Sequence, residues 1–277
     1  MLWIPQKGQL LYQSNVGATA NAVLGTNVPT GAASSTKGTI TQLISSTSFD
    51  SYLMQITAAD YGASATASPG CLDIMVGGSG SEIVLIENLL MGACGGIGAQ
   101  VRGPKHWLFP LYVPAGTRIS ARAAGSRLST NVKVSVHLWG GTGYPPFKVG
   151  TIVDTYGIGT VPDGVSITQG ASGAEGAWTQ ITASTSRDHF CVVPSFQFND
   201  PTLIDAFLQL DVGVGAAASE QQLGHSFNYS QGTIDCMDGP YPLLPLFSDI
   251  PSGTRLAMRV SSSGANQTAN GALHGVS

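Results

Sequence analysis

The sequence predicts an all-β protein built from two tandem antiparallel β-sandwich domains, jelly-roll-like in character and related by internal duplication. Two observations predict the strands. Apolar and polar residues alternate with a period of two in several short segments, and stretches rich in glycine, proline and serine separate these segments. A third observation predicts the duplication, because three windows of the first half recur in the second half at almost one spacing.

The clearest strand is predicted near the end of the first half. Val132, Val134, Val136 and Leu138 alternate there with polar residues. This is the pattern of a strand that buries one face and exposes the other, since successive side chains of a strand point to opposite sides. We therefore expect these four side chains to lie in a core.

A motif of the form Pro-x-Gly-Thr-Arg introduces another strand in each half. It predicts a tight turn, because proline fixes its own φ and glycine tolerates a positive φ. The alternation that follows places Arg118 and Arg122 on one face of the strand, and it places Arg255 and Arg259 on the equivalent face in the second half. We expect all four arginines to lie on the non-core face and to find acidic or carbonyl partners.

The duplication is predicted from matches that keep both their order and their register. Recurring acids such as Asp73 and Asp211 lie inside these matches, which favours folding roles for them over a single active site, and we expect them to meet the repeated arginines. The matched windows are 41–50 with 179–188, 72–77 with 210–215 and 81–82 with 219–220 at an offset of 138, and 114–122 with 251–259 at an offset of 137.

A repeat of this length is a whole domain, and a turn-rich segment around Gly140–Pro146 separates the copies. The predicted segments are 1–30 as an N-terminal arm or first strand, 31–143 as the first sandwich repeat, 144–168 as a linker or first strand of the second repeat, and 169–277 as the second sandwich repeat.

Charge is sparse and unevenly shared. Only 10% of the residues are charged, against about 25% in a typical soluble domain. Residues 1–150 hold nine basic and five acidic residues, net +4, whereas residues 151–277 hold three and eleven, net −8. A surface with few charges favours association because few charges must be desolvated, and opposite halves can orient head-to-tail contacts.

Several classes of protein are disfavoured by the sequence. The start, Met1–Lys7, lacks the pattern of a signal peptide, and the longest apolar region, 83–101, is interrupted by polar residues and glycines, so we expect a soluble protein without membrane insertion. No basic stripe with interleaved aromatics indicates nucleic-acid binding. The cysteines have no metal-ligand spacing, and we expect free thiols at Cys71, Cys94, Cys191 and Cys236.

Motifs for catalysis, cofactors or metals are missing from the sequence. The glycine-rich segment 92–98 lacks the Gly-Lys-Ser/Thr of a phosphate loop and is interpreted as a flexible loop. No Gly-x-Ser-x-Gly elbow is present, and a Ser-His-Asp set cannot be proposed without geometry. We expect structural roles for the repeat equivalents His137 and His274. The other histidines, which also lack metal spacing, are His106, His189 and His225.

The repeated Pro-x-Gly-Thr-Arg strand, together with Trp178-Thr179-Gln180-Ile181 and the Gly/Ser/Ala-rich linkers, resembles structural proteins of tailed-bacteriophage particles. The resemblance extends over nearly the whole chain and lies in the general character of the sequence, not in a diagnostic motif. It implies a jelly-roll or sandwich module used for capsid decoration, as a fibre or as a tail/neck adaptor, made in the host cytoplasm, present in the virion as a symmetric oligomer and requiring no cofactor.

The function predicted from the sequence is therefore that of a non-enzymatic virion structural protein that binds other virion proteins and copies of itself. The alternative is a receptor- or carbohydrate-binding module at a fibre tip that binds a host surface receptor or glycan. Exposed aromatic residues lining one groove would favour that alternative, and Trp107, Trp139 and Trp178 are the candidates for a sugar platform. Core positions are the more ordinary place for such large rings.

Overall fold

The computed structural model of the protein describes residues 12–16, 25–60, 70–91, 105–125, 131–141, 145, 147–198, 206–224, 227–231, 243–264 and 268–277. Within these ranges the regular elements are all β-strands. The strands are β1 (Tyr12–Val16), β2 (Thr26–Pro29), β3 (Thr41–Ile44), β4 (Ser51–Asp60), β5 (Gly70–Val76), β6 (Ile83–Leu90), β7 (Lys105–Phe109), β8 (Ile119–Gly125), β9 (Asn131–Gly140), β10 (Val153–Tyr156), β11 (Ile158–Thr160), β12 (Asp163–Thr168), β13 (Thr179–Thr182), β14 (His189–Phe198), β15 (Ala206–Val214), β16 (Gln221–Gln222), β17 (Phe227–Gln231), β18 (Leu246–Ile250), β19 (Leu256–Ser262) and β20 (Thr268–Val276).

The strands form four antiparallel sheets. Sheet I has the order β2-β9-β4-β7, with β1 also paired to β9, and sheet II has the order β3-β8-β5-β6. Sheet III has the order β11-β12-β20-β14-β18, with β10 also paired to β20, and sheet IV has the order β13-β19-β15-β16, with β17 paired to β15. Each half can be numbered as eight strands in chain order, from β2 to β9 in the first half and from β12 to β20 in the second, where β16 and β17 together count as the fifth strand. In both halves one sheet then has the order 1-8-3-6 and the other 2-7-4-5, which is the jelly-roll arrangement.

Each pair of sheets encloses a hydrophobic core. Sheets I and II pack around one cluster, to which β9 contributes Val132, Val134, Val136 and Leu138. The residues between them in β9 are half-buried, so the predicted alternation is confirmed. Burying a valine or leucine side chain contributes about 1.5–3 kcal/mol, which makes this strand a large contributor to the first core. Sheets III and IV enclose the second cluster.

The strands with the repeated arginines have the predicted phase. Ile119 of β8 lies in the first core, and Leu256 and Met258 of β19 lie in the second. The turns that introduce these strands contain Gly116 with φ of 82° and Gly253 with φ of 85°, the positive φ for which the motif supplies glycine. The predicted all-β sandwich fold is confirmed.

The two halves also share irregularities of strand pairing. A register shift between Gln42 and Ile44 in the β3–β8 pair matches one between Gln180 and Thr182 in the β13–β19 pair, at the offset of 138. A shift between 51 and 53 also recurs between 189 and 191, but against a different partner strand, which is β9 in the first half and β18, the counterpart of β7, in the second. The origin of the two sandwiches by internal duplication stays a prediction.

Strands from both predicted flanking segments join the sheets. β1 and β2 both pair with β9, and β12 pairs with β20 from Val165 to Thr168. Segments 1–30 and 144–168 thus contribute strands to sheets I and III. The four domain boundaries themselves stay predictions.

The halves meet along a seam in which the outer face of sheet III covers one flank of the first sandwich. Cys191, Val193 and Val276 of sheet III belong to the first hydrophobic cluster. The Phe109 ring contacts the His274 ring edge-on, with 6.0 Å between their centroids. β20 is consequently buried on both faces from 269 to 276, unlike its counterpart β9.

Some sequence predictions lie outside the described residues, namely the loop 92–98, His225, Cys94 and Cys236. Cys71 and Cys191 are both buried and free, as expected. Over the part of the chain that is described, the structure has no helix that is long and apolar enough to cross a membrane.

Candidate functional site

The arginines of the first half belong to a polar cluster on the outer side of sheet II. Arg118 donates to Glu82 at 2.6 Å and to Gln42 at 2.9 Å. Arg122 donates to Asp73 at 2.7 Å, and Lys37 donates to the other oxygen of the same carboxylate at 2.5 Å. Asp73 is fully buried, and a buried carboxylate is costly unless its charge is paired. The two cations Arg122 and Lys37 provide that pairing.

The second half reproduces this cluster on sheet IV. Arg255 donates to Glu220 at 2.7 Å and to Gln180 at 3.0 Å. Arg259 donates to Asp211 at 2.9 Å. The predicted pairing of Asp73 and Asp211 with the repeated arginines is therefore confirmed. These ion pairs connect neighbouring strands of the same sheet.

The second cluster differs from the first in its outermost layer. The Arg259 guanidinium also pairs with Glu175 at 2.5 Å and lies over the Trp178 ring, 4.4 Å from its centroid. In the first half, a lysine instead of a glutamate completes the cluster, because Lys37 bridges Asp73 and Asn88. Every carboxylate named here is paired, which favours a structural role over a catalytic one.

The three tryptophans proposed as a sugar platform lie apart. Trp107 is fully buried in the first core. Trp178 lies beneath Arg259 at the edge of sheet IV. Trp139 is half-buried on the outer face of sheet I, with its ring 5.9 Å from that of His137. The idea of a joint platform was wrong, because Trp107 and Trp139 point to opposite faces of sheet I and Trp178 lies beside sheet IV.

A polar cluster with a serine, an aspartate and a histidine lies where β10 meets the start of β14. Ser186 donates to Asp154 at 2.6 Å. The Tyr156 hydroxyl lies 2.8 Å from His189 Nε2 and 3.0 Å from Ser186 Oγ. Tyrosine thus occupies the position at His189 Nε2 that a nucleophilic serine needs. The arrangement does not form a serine-histidine-aspartate relay.

Buried titratable groups lie along the seam. His274 is fully buried, and its ring nitrogens lie 2.9 Å from the Ser195 hydroxyl and 3.1 Å from the Thr155 hydroxyl. Burial lowers the pKa of His274 to about 3, so the ring is neutral. Burial raises the pKa of the Cys71 thiol to about 11 and that of Cys191 to about 12. Neither thiol has the low pKa of a reactive cysteine.

No group of three or more histidine, cysteine, aspartate or glutamate side chains is placed to hold a metal ion among the described residues. His106 and His137 lie on the same outer face of sheet I, on the strands β7 and β9 that flank β4. Burial, followed by the charge of His137, lowers the pKa of His106.

A cavity of about 600 Å³, here called the tyrosine pocket, opens beside the start of β4. Its lining includes Asp50, Tyr52, Tyr112 and Phe147. The two tyrosine rings are stacked, with 5.8 Å between centroids and 23° between planes. Asp50 Oδ1 accepts the backbone N–H of Ala115 at 2.8 Å, and this contact fixes the carboxylate at the rim.

A second cavity of about 300 Å³, the lysine pocket, has a related place in the second half. It is lined by Lys148, Asp188, Phe190 and Asp249, among others. Asp188 Oδ1 accepts the backbone N–H of Ser252 at 2.7 Å, as Asp50 accepts that of Ala115. The Lys148 ammonium lies 5.1 Å from the centroid of the Phe190 ring.

Sequence reasoning noted the recurrence of Asp50 as Asp188 but missed both pockets. The aromatic residues come from separate stretches of chain, so no local motif unites them. An aromatic residue follows each aspartate two positions later, as Tyr52 or Phe190. This repeated spacing is the signal in the sequence that could have indicated the pockets.

The outer face of sheet I is a third candidate, for binding a protein. It presents mainly uncharged, half-buried side chains, namely Leu53, Gln55, Thr57, His106, Leu108, Ser135, His137 and Trp139. Within it Thr57 and Gln55 contact His106 Nδ1 at 2.8 Å and 3.3 Å. Such a mixture of aromatic, aliphatic and neutral polar groups is typical of protein interfaces that form and dissociate.

Comparisons with known proteins yield no family and only distant structural similarity. No protein-family model matches the chain, and neither does any curated protein. The glycosylasparaginase PNGase F from Flavobacterium meningosepticum aligns over 96% of both chains with 7% identity and a TM-score of 0.35. A chain of the T13 particle of infectious bursal disease virus aligns over 96% of this chain and 69% of its own, with 11% identity and a TM-score of 0.27.

An archaeal virus protein described by a triple jelly roll fold aligns over 92% of this chain and 59% of its own, with 10% identity and a TM-score of 0.26. At TM-scores this low, neither the amidase nor the viral proteins carry an argument about function.

Proposed function

We propose that this protein is a structural subunit of a virus particle, of the tailed-bacteriophage type that its sequence resembles, and that it acts by binding copies of itself and other virion proteins. Capsid decoration, a fibre and a tail or neck adaptor are the roles in which such a module serves. We further propose that it catalyses no reaction, binds no nucleic acid and does not insert into membranes.

The observation that carries the proposal is the difference between equivalent sheet faces. The outer face of sheet III is covered within the chain, where Ser195 and His274 are wholly buried. The equivalent positions on sheet I, Thr57 and His137, are only half-buried. A surface that buries a neighbour in one half supports a subunit contact in the other, where no second sandwich of the same chain covers it.

Charge supports a head-to-tail arrangement. The first half carries net +4 and the second half net −8, so the second half of one copy is attracted to the first half of the next. A contact of this kind is heterologous, and it forms rings or filaments according to whether the rotation closes. Salt would weaken this attraction because it screens exposed charges.

The experiment measures the native mass of the protein over a range of concentrations by light scattering after size-exclusion chromatography, and its presence in purified particles by mass spectrometry. We expect an oligomer. Ser135→Glu, at the centre of the outer face of sheet I, should weaken association at least about tenfold because it buries an unpaired charge facing an acidic half.

Ser45→Glu is the matched control, since Ser45 is exposed after β3 of sheet II and the same charge is added to the same half of the chain but away from the outer face of sheet I. It should leave association unchanged. A monomer at all concentrations that is absent from every particle, or equal effects of the two glutamates, would refute the proposal.

Receptor or carbohydrate binding at a fibre tip is the second candidate function. The feature that favours it is the stacked pair Tyr52 and Tyr112 in an open cavity, since aromatic faces stack on sugar rings. Glycan-array binding that is lost in Tyr112→Leu would support this candidate over a purely structural role.

A further inference from the structure

The tyrosine pocket combines aromatic rings with one negative charge. Among the described residues that line it, Asp50 carries the only charged side chain. Burial raises the pKa of the Tyr112 phenol, and the charge of Asp50 and a hydrogen bond to Asp50 raise it further, so this phenol is neutral at physiological pH. Neutral aromatic rings beside a carboxylate create a negative electrostatic potential, because the faces of the rings carry negative partial charge.

The lysine pocket shows which group occupies the equivalent environment. Asp188 matches Asp50, and Phe190 matches Tyr52, both at the offset of 138. In that pocket the Lys148 ammonium lies over the face of Phe190, and two aspartates, Asp188 and Asp249, line the same cavity. The chain itself therefore places an alkylammonium group over the aromatic ring of the second half, in a cavity that two carboxylates also line.

We propose that the tyrosine pocket binds an alkylammonium group that comes from outside the chain. Its size suits the group, since about 600 Å³ lies in the usual range of ligand cavities. The stacked faces of Tyr52 and Tyr112 attract the cation, and Asp50, held by the Ala115 N–H, neutralises it. The ligand is a lysine side chain of another protein or a small quaternary ammonium compound such as choline.

A neutral sugar fits these observations less well. Stacking on tyrosine would serve a sugar and a cation alike, but it does not explain why the second half fills the equivalent position with Lys148. This inference does not depend on the proposed role in a virus particle, because it rests on the two pockets alone.

The test uses the full-length protein and four small probes in saturation-transfer NMR titrations. The probes are choline, the neutral isostere of choline in which carbon replaces nitrogen, N-acetyl-lysine amide and methyl glucoside. At least one of the two cations should bind about tenfold more tightly than the neutral isostere, since the rings and the carboxylate act on the charge. Binding of N-acetyl-lysine amide alone would identify a lysine side chain, and preference for choline a quaternary ammonium.

Two matched substitutions locate the binding site. Asp50→Asn keeps an oxygen for the Ala115 N–H but removes the charge, and it should weaken cation binding at least about fivefold. Asp188→Asn makes the same change at the equivalent position of the second half and should leave cation binding unchanged. Thermal unfolding of both variants reports whether the fold is retained.

A third substitution tests the equivalence of the pockets. Lys148→Gln removes the ammonium from the Phe190 ring, so the number of cations bound should rise from one to two. A stoichiometry that stays at one would show that the equivalence is wrong. Equal binding of choline and its neutral isostere, tighter binding of methyl glucoside, or cation binding that Asp50→Asn does not change would each overturn the proposal.

Discussion

The outer faces of sheets I and III occupy equivalent places in the two sandwiches but have opposite surroundings. On sheet III the central pair Val193 and His274 lies in the seam. On sheet I the equivalent pair, Gln55 and His137, is half-buried. The histidine is the same in both halves, while its neighbour across the strand pair changes from glutamine to valine. The difference shows that two sheets with the same strand order can have different residues on their outer faces, according to whether the face is buried.

The arginine clusters, in contrast, are alike in the two halves. Their contacts recur in both halves, with the acids at an offset of 138 and the arginines at 137, because each arginine balances a nearby carboxylate. Those contacts hold each sandwich together, whereas the outer faces and the pockets can diverge without loss of the fold.

The largest expected effect distinguishes the two buried aspartates. Asp73→Ala leaves Arg122 and Lys37 without their shared carboxylate in a buried site, and it should lower the free energy of unfolding by about 3–5 kcal/mol. Asp211→Ala should cost less, about 1–3 kcal/mol, because Arg259 keeps Glu175 as a partner. Urea denaturation of both variants measures the difference, and equal losses would contradict this account of the clusters.

A reciprocal exchange tests the outer faces directly. Val193→Gln introduces the first-half residue into the seam and should lower the free energy of unfolding by about 2–4 kcal/mol, because an amide is buried without a partner. Gln55→Val, on the half-exposed face, should change it by no more than about 1 kcal/mol. The seam is misplaced if the two substitutions prove equally costly.

A pH dependence follows from His274. Its pKa is lowered from 6.5 to about 3 by burial, so the unfolded chain binds a proton more readily than the folded chain between these values. The stabilising preference for the neutral ring is therefore complete above pH 6.5 and is lost progressively as the pH falls towards 3.

His274→Gln should reduce the slope of unfolding free energy against pH, between pH 6.5 and 5, by up to about 1.4 kcal/mol per pH unit. His189 and His106, whose pKa values are also lowered by burial, leave a residual slope. His137→Gln is the control on the half-buried counterpart, and a slope that His274→Gln leaves unaltered would contradict burial of this ring.

The smallest expected effects concern Arg118 and Arg255, which donate to Glu82 and Glu220 at nearly the same distance. Truncating either arginine to alanine should lower the free energy of unfolding by about 1 kcal/mol, because both guanidiniums keep some contact with solvent. Thermal melts of the two variants should agree. A difference of several kilocalories per mole would show that the two clusters are not equivalent.

The sequence predicted the strands and arginine pairs because these depend on local alternation and on a repeated spacing. Val132 and Ile119 are buried for reasons visible in a window of a few residues. The seam could not be predicted in this way. Ala272 and Val276 read as ordinary strand residues, and only comparison with Ser135 and Trp139 of the first half would have shown that both faces of β20 are covered.

The candidate site was less accessible from sequence. The interpretation of Trp107 as a core residue was right, while the platform with Trp139 and Trp178 was wrong. The pockets depend on where distant stretches of chain converge, and no periodicity encodes such a meeting. Tyr52 and Tyr112 lie 60 residues apart in the chain and are neighbours only after sheet I has formed.

The burial of the outer face of sheet III against the first sandwich predicts the order in which the two halves fold during synthesis. The ribosome releases the first sandwich before the second, so β6 and β7 can be complete when sheet III begins to form. Cys191, Val193, Ala272 and Val276 then find a finished flank to dock on and do not remain as an exposed apolar patch. We therefore expect the first half to assist the folding of the second, and a chain with the halves exchanged to expose this apolar face until the other sandwich has been made.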